Sequence, residues 1–250
     1  MVVVLMLGRE GSVGFPGKNT TTVLGRPLMT YPLLAAGGAK CVEKVYVSTD
    51  SANIKKIALE HGASIIERPP ELATKDALGE DAYVHGYRYI CNQLCSTPEL
   101  LVLLFCNAPT ILGQTIDEGV RVLLEDPSLD SAVTVSAYNM WSPIRARKEG
   151  ADGLLYPFVP FETFGELKAV NCDRDSQGDV FFADMSVSIV RPRCLDNLDY
   201  GVLPQRWMGR RIYPLKQWGG CDVDYAWQIP SVEYWLQQHG FSETKDPYAS

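Results

Sequence analysis

Two six-residue runs, Val2–Leu7 (VVVLML) and Leu100–Phe105 (LLVLLF), contain no polar side chain. Successive strand residues point to opposite faces, so a strand apolar at every position must be covered on both. That requirement selects a mostly parallel sheet with helices on either side. The intervening sequence agrees, alternating helical and strand patterns. A helical pattern covers residues 28–39, and KVYVS at 44–48 reads as a strand. SANIKKIALEHG then reads as a helix, with Asp50 or Ser51 as its cap, Ile54, Ile57 and Ala58 on one face, and Gly62 as its stop. Strands are expected at 63–67 and 132–137, and helices at 76–94 and 116–125. This βαβα order predicts a doubly wound α/β domain whose ligand lies beyond the carboxyl ends of the strands. Later, FFADMSVSIV (181–190) and residues 211–215 read as strands, and 223–239 as a last helix.

The loop leaving the first run reads GREGSVGFPGKN, with Gly8, Gly11, Gly14 and Gly17 interleaved with Arg9, Ser12, Lys18 and Asn19. Glycine lets backbone N–H groups approach an anion, and the two cations compensate its charge. A phosphate is the expected ligand. The loop is neither of the two familiar phosphate loops. For G-x-x-x-x-G-K-[ST], Ser12 stands at the first glycine and Asn19 at the Ser or Thr; no G-x-G-x-x-G occurs.

Charge and composition narrow the ligand further. The 250 residues carry a formal net charge of -7, which disfavours a nucleic-acid partner. No apolar stretch approaches the length of a membrane span, so a cytoplasmic protein is expected. The seven cysteines are odd in number and scattered, several in apolar runs, which suggests reduced, buried thiols. The three histidines stand far apart, and a structural zinc site is not expected.

Two further elements carry chemistry. In QWGGCDVDYAW, Asp222 and Asp224 flank one residue and share a side if the stretch is extended. Paired carboxylates suit a hard divalent cation such as Mg²⁺, completed by phosphate oxygens and water; a helix cap beside a solvated neighbour is the simpler use of such a pair. Arg68, in ERPPELA, follows a strand where a crevice ligand would meet it, although a surface arginine in a Pro-rich loop has the same appearance.

In order, these elements are x-R-x-G-S-x-G-x-P-x-K-N after a strand, V-S-T-D at 47–50, R-P-x-E-L-A from Arg68, and the late D-x-D. Together they resemble the cytidylyltransferases that activate acidic sugars, the CMP-sialic acid and CMP-Kdo synthetases and their legionaminate and pseudaminate relatives. The resemblance covers most of the chain and is weakest from 139 to 179. It implies a nucleotide-diphospho-sugar transferase-like fold with a small dimerisation insertion, placed at about 139–180. It implies transfer of CMP from CTP to an acceptor oxygen, with pyrophosphate leaving and Mg²⁺ assisting. Gly8, Arg9, Gly11, Ser12, Lys18 and Asn19 would hold the nucleotide, Arg68 would support it, and Asp222 and Asp224 would hold the metal; Arg9, Lys18 and the two aspartates would act directly in the reaction.

The acceptor half departs from this pattern. Sialate-type members read Q-P-T-S-P-L-R after the fourth strand; here Phe105, Cys106 and Asn107 replace Gln, Pro and Thr, Pro109 is kept, and Ile111 replaces Arg. FFADMSVSIV also lacks R-P-N-G. The acceptor therefore stays open among acidic sugars, sugar phosphates and phosphonates, and the base between cytosine and guanine. A non-catalytic nucleotide-binding protein is a further reading. Asn107, at the carboxyl end of a buried strand, is the expected acceptor contact, with Arg145 and Arg147 as further candidates. The aromatic, Pro-rich stretch from Trp141 to Phe164, including Phe158 and Phe161, leads to an expected homodimer.

Overall fold

The computed structural model describes residues 1–165, 171–176 and 178–248. The chain opens with β1 (Val2–Leu7), the small hairpin β2 (Thr22–Val23) and β3 (Arg26–Pro27), and α1 (Thr30–Gly38). It continues with β4 (Lys44–Thr49), α2 (Ala52–Glu60), β5 (Ser64–Glu67), α3 (Gly79–Leu94), β6 (Leu100–Phe105), α4 (Gly113–Glu125) and β7 (Ser131–Ala137). After β7 come the hairpin β8 (Arg147–Glu149) and β9 (Leu155–Pro157), then β10 (Phe181–Val190), α5 (Pro192–Asp196), β11 (Ile212–Gln217) and α6 (Ile229–Gln238). The main sheet has the order β11-β7-β10-β6-β1-β4-β5. Every neighbouring pair is parallel except those of β10, which runs antiparallel between β6 and β7. The mostly parallel doubly wound sheet expected from the apolar runs is present.

The apolar runs divide as alternation demands. Val2, Val4 and Met6, with Leu100, Val102 and Leu104, face α1, α2 and α4 in one core. Val3, Leu5 and Leu7, with Leu101 and Leu103, face Tyr83, Tyr87 and Trp207 in the other. Each fully buried Val or Leu contributes about 1.5–3 kcal/mol relative to exposure, so neither face of β1 tolerates a polar residue. Gly86 of α3 is held to glycine by packing: a Cβ there would come within 2.7 Å of Leu5.

Three details differ from the sequence expectation. Ser51 is the N-cap of α2 but makes no side-chain capping bond. Asp50 instead accepts from the Glu10 backbone N–H at 3.0 Å, tying the first loop to β4. The last helix begins at Ile229 rather than near 223, because Pro230 fits only the first turn of a helix. Residues 222–225 are thereby left outside it. The cysteines are all free, as expected, but Cys95 and Cys172 are exposed rather than buried.

The stretch 139–165 adds no strand to the main sheet. Its regular structure is the two-stranded β8–β9 hairpin and short 3₁₀ turns. Residues 166–170 and 177, within the segment expected to form an insertion, lie outside the described residues. No helix among the described residues is long and apolar enough to cross a membrane.

Candidate nucleotide site

Strand order reverses direction between β1 and β6, since β4 and β5 continue to one side of β1 and β6 opens the other. A doubly wound sheet has its crevice at such a switch point, where the loops leaving adjacent strands part in opposite directions. A crevice lies there. Its walls include Gly8, Arg9, Ser12, Lys18 and Asn19 from the first loop, Arg68 after β5, and Phe105 and Asn107 after β6. Three cations and no carboxylate line it. Gly11, at φ 75°, turns the loop and lines a smaller recess behind, again with Arg9, Ser12 and Lys18.

Arg68 is the most telling of these side chains. It is 8% exposed, and burial lowers its pKa from the ordinary arginine value. Its Nε donates to the Ser48 hydroxyl at 3.2 Å and its Nη2 to the Ser48 carbonyl at 2.6 Å. Both acceptors are neutral, and neither Arg68 nor Arg9 forms an ion pair among the described residues. The Asp50 carboxylate acts on Arg68 only from beyond ion-pair distance, so the burial of the cation is compensated in part, and a bound anion would compensate it further. Arg9 donates to the carbonyls of Glu10 and Gly11, so its position is set by the loop itself. Asn19 donates to the Arg9 carbonyl at 3.2 Å, while its buried Oδ1 has no partner.

The late D-x-D joins this crevice from far along the chain. Lys18 Nζ lies 2.5 Å from Asp224 Oδ1. Val223 is fully buried between the two aspartates, in a core with Tyr31, Trp235 and Phe241. Close approach of the segment to the first loop explains Gly14, where a Cβ would sit 3.0 Å from the Asp224 carbonyl. That glycine makes room for the D-x-D segment rather than for an anion. Gly8 likewise makes room, here for the Cys106 Sγ.

Burial, and next the neighbouring Asp224 carboxylate, hold the Asp222 pKa above the ordinary carboxylate value; Lys18 pulls it the other way. Two carboxylates that disfavour each other's charge, one of them half-buried, form a donor set that a hard cation relieves. No third His, Cys, Asp or Glu completes a cluster among the described residues. The pair thus fits Mg²⁺ held in part by phosphate oxygens and water.

The candidate acceptor contacts divide. Asn107 lines the crevice, but its side chain donates to the Val223 carbonyl at 3.0 Å and its carbonyl accepts from the Val223 N–H at 2.8 Å. It clamps the D-x-D segment to the end of β6. Arg145 and Arg147 are not brought to the crevice. Arg145 donates to the Cys172 carbonyl at 2.7 Å, and Arg147 lies over the Phe161 ring, 5.4 Å from its centroid. Phe105, the residue replacing the family's Gln, lines the crevice and packs on Tyr83 at 5.3 Å.

Two features had no readable sequence signal. Gln228 Oε1 accepts from the N–H groups of Asp224 (2.7 Å) and Tyr225 (2.8 Å), and its Nε2 donates to the Asp222 carbonyl at 3.2 Å. Tyr225 stands where Ser or Thr would announce such a capping box. Asp184, on β10, is buried and accepts from Ser136 at 2.7 Å and Gln217 at 2.9 Å. It sits where β10 bulges and Met185 takes a left-handed φ of 63°, a distortion no local pattern announces.

The cytidylyltransferase family matches residues 3–83, which hold the first loop and Arg68. The CMP-N,N'-diacetyllegionaminic acid synthase of Legionella pneumophila is 39% identical over 64 residues, covering 26% of this chain and 28% of that protein. The 3-deoxy-manno-octulosonate cytidylyltransferase of Bdellovibrio bacteriovorus is 28% identical over 131 residues, covering 52% of this chain and 49% of that protein. The chain thus spans half or less of the length of these relatives. A solved CMP:2-keto-3-deoxy-manno-octonic acid synthetase, complexed with CTP, superposes with a TM-score of 0.64 at 16% identity, over 95% of this chain and 98% of that one. Residues 3–83 therefore match the cytidylyltransferase family, where the opening motif led us to expect it, and the chain as a whole shares its fold with that CMP-sugar-acid synthetase.

Proposed function

We propose that the chain is a Mg²⁺-dependent cytidylyltransferase that joins CMP from CTP to an acidic sugar or related acceptor and releases pyrophosphate. The observation that carries this reading is Arg68: a buried guanidinium with no ion-pair partner among the described residues, in a crevice at the switch point with Arg9 and Lys18. Such a site favours a polyanion, and the cytidylyltransferase match over 3–83 supports CTP as that polyanion. The curated relatives act on legionaminate-type and octulosonate acceptors, which supports an acidic sugar here.

Arg9, Ser12 and Lys18 hold the triphosphate, Arg68 supports the nucleotide from the β5 side, and Asn19 Oδ1 offers an acceptor to a ligand N–H or O–H. Asp222 and Asp224 hold Mg²⁺, which when bound neutralises phosphate charge as the pyrophosphate departs. The Lys18–Asp224 ion pair already sets the cation and the carboxylate side by side, so the charges that must surround the α-phosphate are organised in advance. A thermal-shift panel of CTP, GTP, ATP and UTP, each with and without Mg²⁺, tests the reading. CTP with Mg²⁺ at about a hundred times its Kd adds about 2.7 kcal/mol, roughly 5–10 °C in midpoint for a chain of this size. A shift with GTP alone assigns the other base, and no shift with any of the four overturns the reading.

We also propose a homodimer, formed through the 139–165 stretch. Met140, Trp141, Leu155 and Phe158 are all exposed there, more contiguous apolar surface than a monomer ordinarily leaves bare. A sedimentation mass of one chain at micromolar concentration would refute it.

A further inference from the structure

The backbone of residues 220–225, which carries both aspartates, belongs to no helix and no strand. Among 221–225 only Val223 is fully buried. Cys221 and Gln228 border a cavity of about 680 Å³ that opens beyond the carboxyl ends of β7 and β11, with Tyr138, Trp141, Trp218, Trp227 and Tyr234 in its wall. Packing thus anchors the segment at one point, and its amide and carbonyl groups still need partners. Side chains supply them. The Gly220 N–H donates to Ser136 Oγ at 3.0 Å, and the Gly220 carbonyl accepts from the Tyr138 hydroxyl at 2.7 Å. The Cys221 N–H donates to Thr110 Oγ1 at 2.9 Å, and the Cys221 carbonyl accepts from the same hydroxyl at 3.2 Å. Asn107 then takes Val223, and Gln228 takes Asp222, Asp224 and Tyr225.

Thr110 and Ser136 belong to a polar network sealed beneath this segment. Thr110, Ser136, Ser186 and Asp184 are all buried. Asp184 accepts from Ser136 Oγ, from Gln217 Nε2 and from the Ser186 N–H, the last at 3.2 Å. Gln217 Nε2 also reaches Ser186 Oγ and the Thr110 carbonyl, each at 3.1 Å. Ser186 Oγ lies 2.9 Å from Thr110 Oγ1, which closes the path to Cys221. The fit is close, since a Cβ on Gly220 would collide with the Asp184 carboxylate.

One acceptor-only group orders the others. A carboxylate that takes three donors gives no proton, so Ser136 donates to it and turns a lone pair to the Gly220 N–H. Gln217 presents its amide nitrogen rather than its oxygen for the same reason. The one proton assignment that uses every contact has Gln217 donating to Ser186, Ser186 to Thr110, and Thr110 to the Cys221 carbonyl. Bonds to an ionised acceptor are stronger than neutral ones, and a chain of donors and acceptors reinforces itself.

Asp222 follows Cys221 directly, so a shift at Cys221 moves its carboxylate. Mg²⁺ demands near-ideal octahedral geometry at about 2.0–2.1 Å, and a carboxylate displaced by a fraction of an ångström serves it poorly. Resting on the reading of Asp222 and Asp224 as metal ligands, we propose that Asp184 and Thr110 are positioning residues: the network they organise fixes Gly220 and Cys221 and thereby holds the Asp222 carboxylate where a divalent cation can use it. Neither residue lines the nucleotide crevice, so the effect passes through the backbone.

Three variants of the full chain cut the network at different links: Thr110→Val, Ser186→Ala and Asp184→Asn, with Thr110→Ser as the conservative restoration. Thr110→Val changes no charge, which separates positioning from the field that Asp184 exerts on Asp222. Two measurements are made: amide hydrogen exchange without ligand, and CTP affinity in Mg²⁺ and in EDTA. In Thr110→Val, exchange is expected to quicken in peptides spanning 218–228 and to hold in β1 and β6. CTP affinity in Mg²⁺ falls at least about tenfold, ~1.4 kcal/mol, while affinity in EDTA stays within about twofold. Thr110→Ser restores both readouts, and Ser186→Ala and Asp184→Asn repeat the loss. A folded Thr110→Val with wild-type CTP affinity in Mg²⁺ overturns the proposal. Equal losses in Mg²⁺ and in EDTA also overturn it, because they place the effect on the nucleotide rather than the metal. Loss of folding in all three variants assigns the network to stability and overturns it as well. A wild type that binds CTP equally in Mg²⁺ and in EDTA sinks the metal reading and this proposal with it, whereas a metal-dependent wild type beside unaltered variants sinks the proposal alone.

Discussion

The two cavities at the carboxyl edge of the sheet are opposites. The one between β1 and β6 gathers Arg9, Lys18 and Arg68 and has no carboxylate in its wall; the one beyond β7 and β11 has five aromatic residues and no charge of either sign. Between them run Asp222 and Asp224. The contrast shows one fold edge divided by solvation physics. The first half gathers positive charge, of which the Arg68 cation is buried without an ion-pair partner, and the second offers aromatic rings with no charged residue in the wall. The D-x-D segment is pinned from both sides, by Asn107 on the first and by Gln228 on the second.

The division can be attacked at its centre first. Asp224→Asn removes a carboxylate from the seam and the partner of Lys18; turnover is expected to fall about 10²–10³-fold, as for loss of a preorganised electrostatic group, with folding intact by circular dichroism. Near-normal pyrophosphate release from this variant would refute the metal assignment. Arg68→Met tests the charged half. CTP affinity is expected to weaken about a hundredfold, ~2.7 kcal/mol, while the ligand-free melting point holds or rises, because the variant no longer buries a cation that has no ion-pair partner. A lowered ligand-free melting point with CTP binding preserved would make Arg68 a structural residue and blur the comparison.

The smallest expected effect is the most diagnostic in sign. Burial and Asp224 raise the Asp222 pKa, so the folded chain holds that proton more tightly than the unfolded chain does. Its contribution to stability is full below the ordinary carboxylate pKa and is lost as pH rises through the raised value. Asp222→Asn should therefore match the wild type in strongly acidic buffer and exceed it in ligand-free stability near neutrality, while losing the extra stabilisation that Mg²⁺ adds with CTP. Melting curves across pH check both directions. A variant less stable than wild type at neutral pH would show that the carboxylate is locally satisfied and not awaiting a cation.

Much of the amino-terminal half was legible because its signals are local. Burial of every residue along VVVLML, the helix stop at Gly62 and the Arg68 position after β5 each follow from a few adjacent residues. The carboxyl-terminal half was less so. FFADMSVSIV reads as a strand, yet nothing in it announces that β10 enters the sheet antiparallel between β6 and β7, or that Asp184 is buried against Ser136 and Gln217. Gln228 and the aromatic cavity join residues from 138 to 234 that no spacing connects. Arg145 and Arg147 looked available in sequence because a charge count does not reveal that Cys172 and Phe161 engage them.

The sequence by itself determined the sandwich architecture, the crevice at the end of β1 and the residue types that make it cationic, since burial periodicity and loop chemistry are written residue by residue. Only the tertiary structure decided that Asp224 meets Lys18 across 206 positions, that Gly14 exists for that approach, and that the neighbouring cavity carries no charge. Those are properties of surfaces brought together by packing, and a side chain's partner is fixed by where the two cores and the sheet order place it, not by its neighbours in the chain.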